Sequence, residues 1–120
     1  MKKKTLVLGA STKPHRYSNI AINRLAENQH DIVAFGLREG VVNGIEIDTE
    51  LMDYNGIDTV TLYMKPERQV AYYDYIIGLK PKRVIFNPGT ENREFYQLLQ
   101  KEGVEVAVAC TLTLLATNQY

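Results

Sequence analysis

Gly9-Ala10-Ser11-Thr12-Lys13 carries the residue types that hold a phosphate group. Glycine and alanine let the backbone approach an anion closely, the two hydroxyls can donate, and Lys13 supplies charge. The run follows an apolar stretch and leads to Ser18 and Asn19, where the free amides of a helix start would add partial positive charge. A full G-x-G-x-x-G is not present, because Ser11 stands at the second glycine and Pro14 at the third. A strand-to-helix turn that needs small residues only for packing is the plainer alternative.

Further candidates sit at the ends of other apolar runs. Phe35-Gly36-Leu37 ends in Arg38, where an NAD site usually has an acid for the ribose hydroxyls. Arginine there suits a phosphorylated ribose, as in CoA or NADP; a solvated loop arginine beside Glu39 is the alternative. Met64 could lie against an adenine while Lys65 meets phosphate, or the two could face core and solvent. Asn87 and Glu91, on either side of a Pro88-Gly89 bend, are candidates for bonding a ligand's tail.

No catalytic arrangement stands out. His15 and His30 have no partner at metal-ligand spacing, although His15 lies in the phosphate loop and could touch an anion. Cys110, the single cysteine, lies between a strand and a helix start, where amides can lower a thiol's pKa; a small buried cysteine is the commoner case. Tyr72, Tyr73 and Tyr75 at helical spacing are expected to pack or to form a subunit contact.

These residues need elements to position them, and strand-like and helix-like patterns alternate throughout. The strands are expected at Thr5–Gly9, Asp31–Leu37, Ile45–Ile47, Thr59–Tyr63, Arg83–Asn87 and Val104–Ala109. Ser18 or Asn19 is expected to cap a first helix with Ile20, Ala21, Leu25 and Ala26 inward and Ile22 at the flank. Thr49 caps a short helix to Tyr54, Pro66 opens one to Leu79, Thr90 caps one closed by Gly103, and Thr111 begins the last. Asn43-Gly44 could instead make the tight turn of a small hairpin. The pattern implies an α/β fold: a Rossmann-like, doubly wound, mostly parallel sheet of five or six strands with helices on both faces.

The totals set outer bounds. One hundred and twenty residues, 45% hydrophobic, suit one domain over 1–120. Fourteen basic and fourteen acidic side chains cancel, which gives no push toward nucleic acid or membrane surfaces. The apolar run after the basic leader Met1-Lys2-Lys3-Lys4 is a strand rather than a signal peptide, and no run is long enough for a membrane span. A cytoplasmic location is the expectation.

The chain resembles the small, stand-alone CoA-binding-domain proteins, related to the CoA-binding domain of succinyl-CoA synthetase. The resemblance rests on Val7-Leu8-Gly9-Ala10-Ser11 leading through Lys13-Pro14 to Ser18, the apolar helix around Leu25, and Gly44 before a short strand. It rests also on the strand start Asp58-Thr59-Val60 and on Cys110 after Val106-Ala107-Val108. It implies that the opening turn and first helix hold the CoA pyrophosphate, with the ends of strands two and four flanking the adenine-bearing part. By position those roles fall to Gly9, Ser11, Lys13, Ser18, Arg38 and Lys65. Where the family commonly has Val-Asn-Pro after strand two, this chain has Phe35-Gly36-Leu37. The expected function is non-catalytic or regulatory binding of CoA or acyl-CoA. Two alternatives stand beside it: an NAD(P)-linked or acyl-transfer enzyme, and a ligand-free subunit docking through the tyrosine-rich helix. A homodimer or a protein partner stays open.

Overall fold

The computed structural model describes residues 2–120; Met1 of the basic leader lies outside the described residues. Seven strands form one sheet in the order β3-β4-β2-β1-β5-β6-β7. They are β1 (Thr5–Leu8), β2 (Ile32–Phe35), β3 (Gly40–Val42), β4 (Ile45–Asp48), β5 (Thr59–Leu62), β6 (Arg83–Phe86) and β7 (Glu105–Val108). All neighbours are parallel except β3 and β4, which form an antiparallel hairpin through Asn43-Gly44. The alternative reading of that dipeptide is therefore the right one, and it brings the strand count to seven rather than five or six. Both turn residues have positive φ, +50° and +77°, as a tight hairpin turn requires.

β1, β5 and β6 are buried along their whole length, which explains their unbroken apolar or threonine-rich runs. Alternation assigns their side chains to two faces. Leu6, Leu8, Val60, Leu62, Val84 and Phe86 meet Tyr73 and Ile76 of α3 (Tyr73–Gly78) and Phe95 and Leu99 of α4 (Arg93–Lys101). Val7, Ile32 and Ala34 meet Ile22 and Leu25 of α1 (Tyr17–Glu27) and Leu115 of α5 (Thr111–Ala116). Ile22 is thus central to the α1 stripe rather than flanking it, while Ile20 is only half-buried.

Several expected elements differ. α1 starts at Tyr17 after Arg16 with no side-chain cap; Ser18 and Asn19 lie inside it and are buried. Asn19 turns back instead to donate from Nδ2 to the Ser11 carbonyl at 2.9 Å. No helix forms over 49–54. That segment is irregular, pinned by bonds from the Tyr54 hydroxyl to Asp48 and from the Tyr75 hydroxyl to the Met52 carbonyl, with Leu51 and Met52 exposed. Residues 66–79 do not make one helix. A 3-10 turn over Val70–Tyr72 separates α2 (Pro66–Gln69) from α3. Thr90 is buried and donates to the Asn87 carbonyl, and the cap of α4 is Asn92, which accepts from the Phe95 amide at 3.2 Å.

Candidate functional site

Three chain crossings converge at the carboxyl ends of β1, β2 and β5. The Gly9 and Ala10 amides both donate to the Phe35 carbonyl at 2.9 Å, and the Tyr63 amide donates to Leu8 at 2.9 Å. The approach is close enough to require glycine at two points. A Cβ on Gly9, whose φ is +99°, would lie 2.7 Å from the Tyr63 carbonyl oxygen; one on Gly36 would lie 2.3 Å from that of Ala10.

Above this junction is a cavity of about 550 Å³. The residues expected from the sequence that line it are Gly9, Ala10, Ser11, Thr12, Lys13, Ser18, Arg38, Met64 and Lys65. Asn19 and Asn87 do not line it. Asn19 is spent on Ser11, and Asn87 is enclosed in the sheet with every amide function used. Its Nδ2 donates to Thr61 Oγ1 (2.6 Å) and the Leu62 carbonyl (2.9 Å), and its Oδ1 accepts from the Thr111 amide (2.8 Å). Glu91 accepts from the Gly89 amide at its own turn, and exposed His15 is outside the lining.

Sequence reasoning missed Arg16 and Arg68, which also line the cavity. Arg16 belongs to the same loop as Lys13, and Arg68 follows Lys65 by three positions, so their proximity was the available signal. Five cations therefore border the cavity and no carboxylate does. None of the five is in an ion pair; the one salt bridge among the described residues joins Arg24 to Glu27. The backbone adds to this field. Among the described residues the amides of Ser11, Thr12, Tyr17 and Ser18 find no acceptor, while Ser11 Oγ accepts from the Lys13 amide at 3.1 Å and holds the turn. Free amides at the start of an eleven-residue helix favour an anion there.

Part of the lining is apolar. Phe35, Leu37, Tyr63, Met64 and Tyr72 form it, and the 3-10 turn that interrupts the helical run brings Tyr72 edge-on to Phe35 with centroids 5.5 Å apart. Burial pushes the Tyr63 phenol up to about 12. Its hydroxyl is buried close to Thr61 and Thr111 without reaching hydrogen-bond geometry with either. A second hollow of about 690 Å³ beside the hairpin has the reverse character, lined by Glu39, Glu46, Asp48 and Glu50, and would repel phosphate. No group of His, Cys, Asp and Glu among the described residues could hold a metal ion.

Cys110, at the head of α5, is outside the cavity lining. Burial pushes its thiol up, but bonds from the Thr113 amide and hydroxyl and the Leu112 amide to the thiolate outweigh that and lower its pKa. Each of the three tyrosines makes an internal contact, though Tyr72 and Tyr75 are only half-buried. Tyr72 meets Phe35, Tyr73 stacks on Phe95 at 4.3 Å, and Tyr75 bonds Met52.

A parallel sheet with a cationic, amide-rich cavity beyond the strand ends defines a Rossmann-like domain suited to a phosphate-bearing ligand. More particularly, the chain belongs to the CoA binding domain family, whose model matches residues 3–116. It is similar over its full length to an uncharacterized protein of known crystal structure, with 44% identity, 99% of that chain covered and a TM-score of 0.98. A hypothetical protein from Pyrococcus horikoshii OT3 shares 29% identity over 93% of this chain and 80% of its own, with a TM-score of 0.84. A Thermus thermophilus protein at 20% identity shares the fold over 99% of this chain and 91% of its own, with a TM-score of 0.86. Among curated proteins none matches significantly. No helix among the described residues is long and apolar enough to cross a membrane.

Proposed function

We propose that this chain is a binding module for CoA or an acyl-CoA, with the ligand's pyrophosphate at the turn after β1 and the start of α1. The observation that carries the reading is one cavity lined by Lys13, Arg16, Arg38, Lys65 and Arg68 together with a turn of free amides, with no carboxylate in the lining. A pyrophosphate accepts from the Ser11, Thr12 and Ser18 amides, with Lys13 and Arg16 beside it. Arg38, or Lys65 with Arg68, meets a ribose phosphate, and Leu37 and Met64 offer apolar surface to an adenine. Family membership supports CoA binding in general. A non-catalytic role is supported by the lining itself, which offers no histidine, cysteine or carboxylate to move a proton at neutral pH. The single free cysteine fits a reducing compartment such as the cytoplasm.

Thermal unfolding with CoA, acetyl-CoA, NAD, NADP or no ligand tests this. Free ligand at about 100 times its dissociation constant adds about 2.7 kcal/mol to native stability. At roughly 4 °C per kcal/mol for a chain this size, the midpoint should rise by about 10 °C with CoA. K13A and R38A should each reduce that shift. Equal shifts with CoA and acetyl-CoA place the acyl end outside the site. A shift with NADP and none with CoA refutes the reading in favour of a nicotinamide cofactor, for which Arg38 is equally suited; no shift with any ligand refutes the site.

A further inference from the structure

The sheet ends at β7 with unpaired backbone groups. Its Glu105 and Ala109 amides donate inward to the Lys82 and Phe86 carbonyls at 3.0 and 3.2 Å. By the period of two, the N–H and C=O groups of Val106 and Val108 then point outward, away from β6, and the described residues offer them no partner. Natural edge strands are commonly blunted by proline, lysine, a bulge or short length. β7 has no proline, lysine or bulge: it runs Glu-Val-Ala-Val in regular register, with its one charge at the first position. Val108 is 57% exposed although its neighbour across the ladder, Phe86, is fully buried. The other edge, β3, is three residues long and starts with a glycine, and only Val41 sits at its non-hydrogen-bonded position facing out.

We propose that β7 pairs antiparallel with β7 of a second copy of this chain about a two-fold axis at Ala107, making one continuous sheet. The register is self-complementary. Val106 of each copy stands opposite Val108 of the other as a hydrogen-bonded pair, so the four outward groups on each strand are satisfied mutually. Both valines lie on the face of Val84 and Phe86, so each copy extends the other's apolar stripe. Ala107, on the other face, meets its own copy as the close, non-hydrogen-bonded pair, where a small side chain fits. Glu105 stands opposite Ala109, which keeps the two carboxylates from direct opposition. The same operation on β3 would be centred on Val41 and offer only that residue's outward N–H and C=O, so hydrogen-bonding capacity selects β7. Strand direction reverses across the axis, leaving the two phosphate cavities at opposite ends of the sheet and open.

Sedimentation and disulfide trapping test this, with Cys110→Ser as background. Wild-type protein should sediment at twice the 13.7 kDa of one chain. A107C should cross-link to itself on mild oxidation, since a non-hydrogen-bonded pair sits at about 4.5 Å between Cα atoms, within disulfide reach. V106C and V108C should each fail alone and cross-link when mixed. V106P removes an outward donor without touching the β6 ladder, so it should be monomeric with an unchanged circular dichroism spectrum and an unchanged response to CoA. A monomeric wild type overturns the proposal, as does a dimer in which V106C links to itself or A107C does not. Should V106P fail to fold, the cross-linking pattern decides alone. Because β7 lies away from the phosphate cavity, failure here leaves the CoA reading standing, and failure of CoA binding leaves this one standing.

Discussion

Asn87 is the sharpest place to test how the carboxyl end of the sheet is held. Its side chain is 2% exposed and ties together the end of β5, through Thr61 and Leu62, and the start of α5, through Thr111. In N87A, Thr61 Oγ1 keeps its 2.8 Å bond with Thr111 Oγ1, but the Leu62 carbonyl and the Thr111 amide lose the partner Asn87 gave them. A buried group left unsatisfied costs about 1–3 kcal/mol, so the pair should cost roughly 2–6 kcal/mol. That is a large share of the ~5–15 kcal/mol typical of a domain, and at ~4 °C per kcal/mol it lowers the midpoint by ~8–24 °C. N87D should not rescue it, because the carboxylate still accepts from Thr111 but sets an oxygen against the Leu62 carbonyl. Urea denaturation of all three proteins measures the costs, and titration with CoA below the unfolding transition measures binding by the folded fraction. CoA affinity should stay within about threefold, less than 1 kcal/mol. A loss of stability below about 1 kcal/mol in N87A, or wild-type stability in N87D, would refute the clamp. A large loss of affinity at full stability would instead make Asn87 a ligand contact.

G36A places a Cβ 2.3 Å from the Ala10 carbonyl oxygen, so the phosphate turn has to move. Overpacking of this kind costs about 1–3 kcal/mol, and a titration should show CoA affinity falling by about tenfold or more; unchanged affinity would show that the turn does not bind. His30 supplies the pH dependence. Burial, then the positive charges of Lys2 and Lys3, lower its pKa below 6.5, and its Nδ1 must be unprotonated to accept the Lys3 amide at 2.9 Å. The unfolded chain thus takes up this proton at a higher pH than the native one, so the His30 contribution is full above about pH 6.5 and is lost as pH falls from there toward the native pKa. Urea midpoints between pH 7.5 and 5 should drop more steeply for wild type than for H30Q; parallel slopes would count against this.

Legibility followed the physics of burial. β1, β5 and β6 were readable because strands covered on both faces must be continuously apolar or β-branched, and the turn after β1 was readable because only small residues let Gly9 and Gly36 approach Tyr63 and Ala10 so closely. Capping was not readable. Ser18, Asn19 and Thr90 have the right chemistry for caps, but tertiary partners claim them first: Asn19 takes the Ser11 carbonyl and Thr90 the Asn87 carbonyl. The run from Pro66 to Leu79 has helical composition throughout, and nothing local announces the 3-10 turn at Val70–Tyr72 that sets Tyr72 edge-on to Phe35. The segment after Thr49 begins like a helix, yet its apolar residues Leu51 and Met52 remain exposed, and tyrosine hydroxyls from two directions fix it as a loop.

The charge of the site was legible only in part, for a different reason. Position at the strand ends marked Lys13, Arg38 and Lys65, but equal totals of acids and bases give no hint that Arg16 and Arg68 join them in one cavity while four acids line another. Arg38 and Glu39 look from the sequence like a solvated pair that neutralises itself. In the fold they part: Arg38 lines the cavity beyond β1 and Glu39 the hollow beside the hairpin, and no salt bridge joins them. The boundary between the two fields thus falls on one peptide bond, at the exit from β2. Glu39, Glu46 and Asp48 gather in the hollow beside the hairpin that begins at Gly40. Charge balance in the whole chain and strong charge separation at the site are therefore compatible.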